Sequence, residues 1–88
     1  MGQVLLTFEI MPEGLEVDLD TMRKGVESKL KGYCKIEQVE IKPIAFGLKA
    51  LMMNIVVEDE EGMMDRVEQD INSVPGVQNG RVFALNKI

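Results

Sequence analysis

Leu48-Lys49-Ala50-Leu51-Met52-Met53-Asn54-Ile55-Val56-Val57-Glu58 is the most apolar run of the chain, and the architecture turns on it. Leu51, Met53, Ile55 and Val57 share one parity; Leu48, Ala50, Met52 and Val56 share the other. Alternation with both faces apolar marks a central strand, covered on both sides or with a second face that meets something else. Just upstream, Cys34 to Lys42 also reads as a strand. There Cys34 and Ile36 share one parity while Val39 and Ile41 share the other. A bulge near Glu37-Gln38 reconciles them, because one extra residue swaps the faces.

Around these two strands the chain divides into two similar halves. Val4, Leu6, Phe8 and Ile10 alternate with Leu5, Thr7, Glu9 and Met11, the period of a strand with one buried face, and Pro12-Glu13-Gly14 ends it. Asp18 stands where a helix N-cap belongs, with Asp20 in the first turn, where the helix dipole favours a carboxylate. Leu19, Met22, Val26 and Leu30 follow at helical spacing, and Gly32 stops the helix. Gly25 inside it costs roughly 1 kcal/mol against alanine, so packing or a close backbone contact has to offset it. In the second half, Asp59-Glu60-Glu61-Gly62 leads into a helix expected to face Met63, Met64, Val67, Ile71 and Val74 inward. Pro75-Gly76 ends it, and a last strand runs from Val77 to about Asn86. Strand–helix–strand twice over predicts a ferredoxin-like α+β sandwich: four antiparallel strands with two helices on one face. Residues 1–88 read as a single domain.

Composition narrows the function. Apolar residues make up 45% and charged residues 28%, ordinary for a soluble globular chain, and the formal net charge is −5. Nucleic-acid binders take most of their affinity from Lys and Arg on phosphates, so a basic protein partner fits this acidic chain better. An RNA-binding sheet also needs exposed aromatics, whereas Phe8 falls in the core parity and the third strand has none. The chain has no histidine, which removes Ser-His-Asp and Cys-His catalysis and imidazole ligation. It has neither G-x-x-x-x-G-K-[ST] nor G-x-G-x-x-G, so it should not itself cradle a nucleotide. Cys34 is alone and reads as a structural thiol in a reducing compartment. The run Glu58-Asp59-Glu60-Glu61 lacks EF-hand spacing and reads as a solvated turn. Val4-Leu5-Leu6 is too short for a signal core and no run reaches transmembrane length, which reads as a cytoplasmic protein.

Two features stay outside this account. The connection between the second and third strands is framed by Pro43 and Gly47 and ought to be polar, yet it carries Ile44 and Phe46. In a chain with three phenylalanines, one tyrosine and no tryptophan, such a residue either tucks under the sheet or meets a partner. The second feature is Lys87, one residue from the carboxyl end. Composition does not choose between a frayed, solvated cation and a charge presented to a partner's anionic site.

Pro43-Ile44-Ala45-Phe46-Gly47-Leu48-Lys49-Ala50-Leu51 resembles the P-I-[AG]-[FY]-G-[IL]-K-x-L motif of the elongation factor one-beta family. Val56-Val57-Glu58-Asp59 is similar to the segment after that family's third strand, and Asn86-Lys87-Ile88 resembles its C-terminus with a penultimate lysine. Ala45 stands where eukaryotic members usually have Gly. The resemblance implies one guanine-nucleotide exchange domain over residues 1–88, with no enzyme chemistry and no cofactor. Its implied partner is the translation GTPase elongation factor one-alpha, in GDP–Mg²⁺ and nucleotide-free forms, with no direct nucleic-acid or membrane contact. It further implies that Pro43, Ile44, Phe46, Gly47, Lys49, Asn86, Lys87 and Ile88 face that GTPase. Phe46 would insert against it, and Lys87 would disturb the metal by like-charge repulsion. Two readings stand beside it: a small-ligand regulatory module of the same fold, and a metal-dependent enzyme using Asp59 and Glu61.

Overall fold

The computed structural model describes residues 2–88. The elements in chain order are β1 (Gln3–Pro12), α1 (Leu19–Leu30), β2 (Lys35–Pro43), β3 (Lys49–Glu58), α2 (Met63–Asn72) and β4 (Val77–Lys87). They form one antiparallel sheet in the order β2-β3-β1-β4, the expected ferredoxin-like arrangement.

Strand parity builds the core. Val4, Leu6, Phe8 and Ile10 of β1 stand beside Leu51, Met53, Ile55 and Val57 of β3, all buried. Met22, Val26 and Leu30 from α1 and Val67 and Ile71 from α2 close over them. β3 is internal, as its apolar composition predicts, although no helix covers its second face. Ala50 and Val56 are buried there, and Thr7 Oγ1 donates to Asn54 Oδ1 at 2.8 Å. Above that face the Lys42 ammonium of one edge strand lies 5.7 Å from the Phe83 ring centre of the other. The β2 bulge is present: pairing with β3 slips between Ile36 and Gln38, leaving Glu37 as the extra residue. A second slip places Phe83 as the extra residue of β4, between partners of Thr7 and Phe8.

Helix ends follow local chemistry. The Asp18 carboxylate accepts from the Asp20 N–H at 3.0 Å and from the Thr21 hydroxyl at 3.0 Å, capping α1. Its last turn closes when the Tyr33 and Cys34 N–H groups both donate to the Leu30 carbonyl. Two apolar residues depart from expectation. Met64 is exposed, because the inward stripe of α2 runs through Met63, Val67 and Ile71 and leaves Met64 on its flank. Ile41 has the core parity but is 56% exposed, because it sits at the open margin of the edge strand β2.

Gly25 is explained by a close approach. A Cβ built there would lie 2.8 Å from Val74 Cγ1, and Val74 is a buried, stiff side chain just past α2. Replacing Gly25 by alanine should therefore destabilise the protein by about 1 kcal/mol, overpacking outweighing the gain in helix propensity. Urea unfolding measures this, and Val74→Ala in the same chain should recover part of the loss.

Candidate functional site

The β2–β3 connection is a tight hairpin turn. Pro43 pairs with Lys49 across it, the Ile44 N–H donates to the Leu48 carbonyl at 2.9 Å, and the Leu48 N–H donates to the Ala45 carbonyl at 2.8 Å. Its two central residues both have positive φ, 53° at Phe46 and 81° at Gly47. That is the pattern of a type I′ turn, whose twist matches the flanking strands and whose usual central residues are Asn, Asp and Gly. Gly47 takes the left-handed conformation freely, whereas a phenylalanine there costs about 1 kcal/mol. Among the described residues Phe46 is the one non-glycine with positive φ, and it is 97% exposed. An aromatic ring thus sits in a strained backbone position with nothing beneath it. Strain of this kind clusters at binding and active sites.

Phe46 has apolar company. Ile44 is partly exposed beside it, and Leu15, from the β1–α1 connection, is 68% exposed. Leu15 lies close enough that a Cβ at Gly47 would come 3.5 Å from its Cδ2. Leu15 and Gly47 line an open cleft of about 290 Å³ together with Leu48, Lys49 and Val17. Leu15 is not among the contact residues expected from sequence, yet its signal matches that of Phe46: a large apolar residue beside Pro12-Glu13-Gly14, a segment otherwise built for a solvated turn.

Lys87 lies elsewhere. It pairs in register with Val4, which pairs with Val57 near the end of β3, whereas the Phe46 turn precedes the first residue of β3. Eight residues separate Lys49 from Val57, about 26 Å of strand. Phe46 and Lys87 therefore occupy opposite ends of the sheet. Pro43, Ile44, Gly47 and Lys49 go with Phe46, while Asn86 and Ile88 go with Lys87. The terminal residues are held: the Ile88 N–H donates to the Gln3 carbonyl at 2.9 Å, so strand pairing continues to the last residue. Lys87 remains well exposed, and its Nζ lies 3.6 Å from Asp59 Oδ2. Exposed Leu85, Ile88 and Met64 give this end an apolar surround.

The helical side holds a different cluster. The Tyr33 hydroxyl donates to the Asp70 carboxylate, and the Arg66 guanidinium stacks 3.8 Å from the Tyr33 ring centre, tying the end of α1 to α2. Burial and the Asp70 bond push the Tyr33 hydroxyl well above its usual range. Burial pushes the neighbouring Cys34 thiol up to about 11, with Arg66 only partly opposing it. A thiol so held is a poor nucleophile, and the cluster works as a clamp between helices. No three Cys, Asp or Glu side chains converge as metal ligands among the described residues, and no helix is long and apolar enough to cross a membrane. At pH 8, iodoacetamide should label Cys34 on the order of 100-fold more slowly than an ordinary cysteine, by mass spectrometry, because so little thiolate is present.

Comparisons with known proteins place the chain in a family. Residues 5–88 match the family model described as the EF-1 guanine nucleotide exchange domain. The protein named Elongation factor 1-beta of Thermoplasma volcanium is 43% identical over 77 residues, covering 88% of each chain. Its namesake in Methanococcoides burtonii is 42% identical over 87 residues, 99% of this chain and 98% of the relative. That of Methanocorpusculum labreanum is 34% identical over 88 residues, 100% of this chain and 99% of the relative. Among solved structures, the C-terminal domain of the MgtC protein from Mycobacterium tuberculosis superposes with a TM-score of 0.59 over 99% of this chain and 86% of that one. At 13% identity that likeness concerns the fold alone. A family match over nearly the whole chain and relatives of one name at near-complete coverage lead to one assignment: the chain belongs to the EF-1 guanine nucleotide exchange domain family.

Proposed function

We propose that this chain, acting as one domain, promotes GDP release from the translation GTPase elongation factor one-alpha in the cytoplasm. Membership of an exchange family supports a role in translation elongation. The observation that carries the proposal is Phe46: a fully solvated aromatic held in left-handed backbone at the tip of a hairpin. A side chain so placed costs the free protein stability and gains only when a partner covers it.

The opposite placement of Phe46 and Lys87 shapes the mechanism. One GTPase must contact the chain at two points separated by at least the ~26 Å of strand between Lys49 and Val57, within the 42 Å long axis of the domain. At the hairpin end, Phe46, with Ile44 and Leu15 beside it, docks in an apolar pocket, flanked by Pro43, Gly47 and Lys49. At the other end, Lys87, between Asn86 and Ile88, meets the metal–phosphate region. GDP is held there largely through phosphate–metal electrostatics, so an intruding ammonium weakens the bound cation directly. The sheet is a rigid spacer that couples docking at one end to charge delivery at the other. No bond is made or broken: the chain need only bind the nucleotide-free GTPase better than the GDP form. A differential of about 4 kcal/mol shifts that equilibrium roughly a thousandfold.

Release of fluorescent GDP from a purified archaeal elongation factor one-alpha tests this. Catalytic amounts of the chain should accelerate release, and no acceleration at micromolar concentration contradicts the proposal. Phe46→Asn should raise the stability of the chain by about 0.5–1 kcal/mol, because Asn accepts the left-handed turn position. The same substitution should weaken exchange roughly tenfold or more through the concentration needed for half-maximal rate. Lys87→Ala should lower the maximal rate by about 10- to 100-fold with little change in stability.

A further inference from the structure

The acidic turn after β3 and the end of β4 meet across the start of β1. The Asp59 N–H donates to the Gly2 carbonyl and the Ile88 N–H to the Gln3 carbonyl, each at 2.9 Å. Both segments are thus pinned to consecutive residues of one central chain. Above them Lys87 Nζ stands 3.6 Å from Asp59 Oδ2, on the rim of a slot of about 90 Å³ lined by Leu6, Met63 and Leu85. Glu58 and Glu60 line the same slot, but Asp59 is the carboxylate in ionic contact with Lys87 among the described residues. At 3.6 Å the contact lies outside hydrogen-bond range, and the Lys87 side chain stays 74% exposed, so the pair can open.

An ammonium beside a carboxylate presents almost no net charge to a third ion. Repulsion of a divalent cation by Lys87 would be offset by its attraction to Asp59 at nearly the same distance. For Lys87 to act on a cation it has to leave Asp59. We propose that Asp59 is an intramolecular competitor for Lys87, holding the ammonium in the free protein and releasing it when the partner's cation–phosphate site draws it away. This rests on the exchange reading given above. The contact is a mild brake, because exposed ion pairs shift such equilibria by only about 1.5- to 5-fold.

The test is Asp59→Asn in the full chain, which preserves the backbone bond to Gly2. At about 0.02 M salt the variant should exchange GDP about 2- to 5-fold more efficiently than wild type, and the two should converge near 0.5 M salt as charges are screened. In a Lys87→Ala chain the same substitution should change nothing. In the free protein, the NMR order parameter of Lys87 Cε should fall on Asp59→Asn. A variant that exchanges no faster than an active wild type at low salt overturns the competitor role and leaves the exchange function standing. An unchanged Lys87 order parameter overturns it whatever the exchange activity. An inactive wild type contradicts the exchange function itself. A gain in activity would also separate this role from metal catalysis at Asp59, which predicts a loss.

Discussion

β1 carries the structure. It pairs with β3 along one side and β4 along the other, and its Val4, Leu6, Phe8 and Ile10 form the centre of the core. A one-residue slip in either ladder would turn that face outward and strip the helices of their contact surface. The same pairing sets where the two candidate contact segments lie. β4 runs antiparallel to β1, and β1 antiparallel to β3, so β4 ends where β3 ends and away from where β3 begins. The hairpin turn and the C-terminus are therefore fixed at opposite ends by topology alone. The core holds them there rigidly because neither ladder can shift without exposing apolar surface.

Each end presents chemistry that the free domain has little use for. At one, the turn holds Phe46 exposed in a strained left-handed backbone. At the other, strand pairing runs out to Ile88 and keeps Lys87 from fraying, while Asp59 stands against its charge. The strained turn costs the free domain a little stability that a partner covering Phe46 could return, whereas the Lys87–Asp59 contact is favourable in the free domain and has to be given up on docking. The formal net charge of −5 would steer the chain toward a partner with a basic face.

Most of the architecture could be read from residues alone, because parity and helical spacing report burial directly. The faces of β1 and β3, the β2 bulge, the Asp18 cap and the packing debt at Gly25 all follow from local pattern. Ile41 and Met64 did not, because periodicity assigns a face without saying how far the opposing layer extends. Phe46 stood out as an aromatic in a turn, but the left-handed backbone beneath it is a property of three-dimensional strand twist. Leu15 and Asp59 come from segments distant in sequence and acquire meaning only through what the fold brings beside them, the Gly47 turn and Lys87. Reading Phe46 and Lys87 as one shared contact from the sequence requires them to lie at the same end of the sheet; the strand order puts them at opposite ends, so a single compact contact site is ruled out and two separate contacts are required.

The mechanism requires one GTPase to engage both ends of this domain at once. Hydrogen exchange of the chain, alone and with nucleotide-free elongation factor one-alpha, is the decisive measurement. Slowed exchange is predicted at Ile44–Leu48 and, in the same complex, at Leu85–Ile88, with α1 unaffected. Protection confined to one end, or to the helices, would contradict simultaneous engagement.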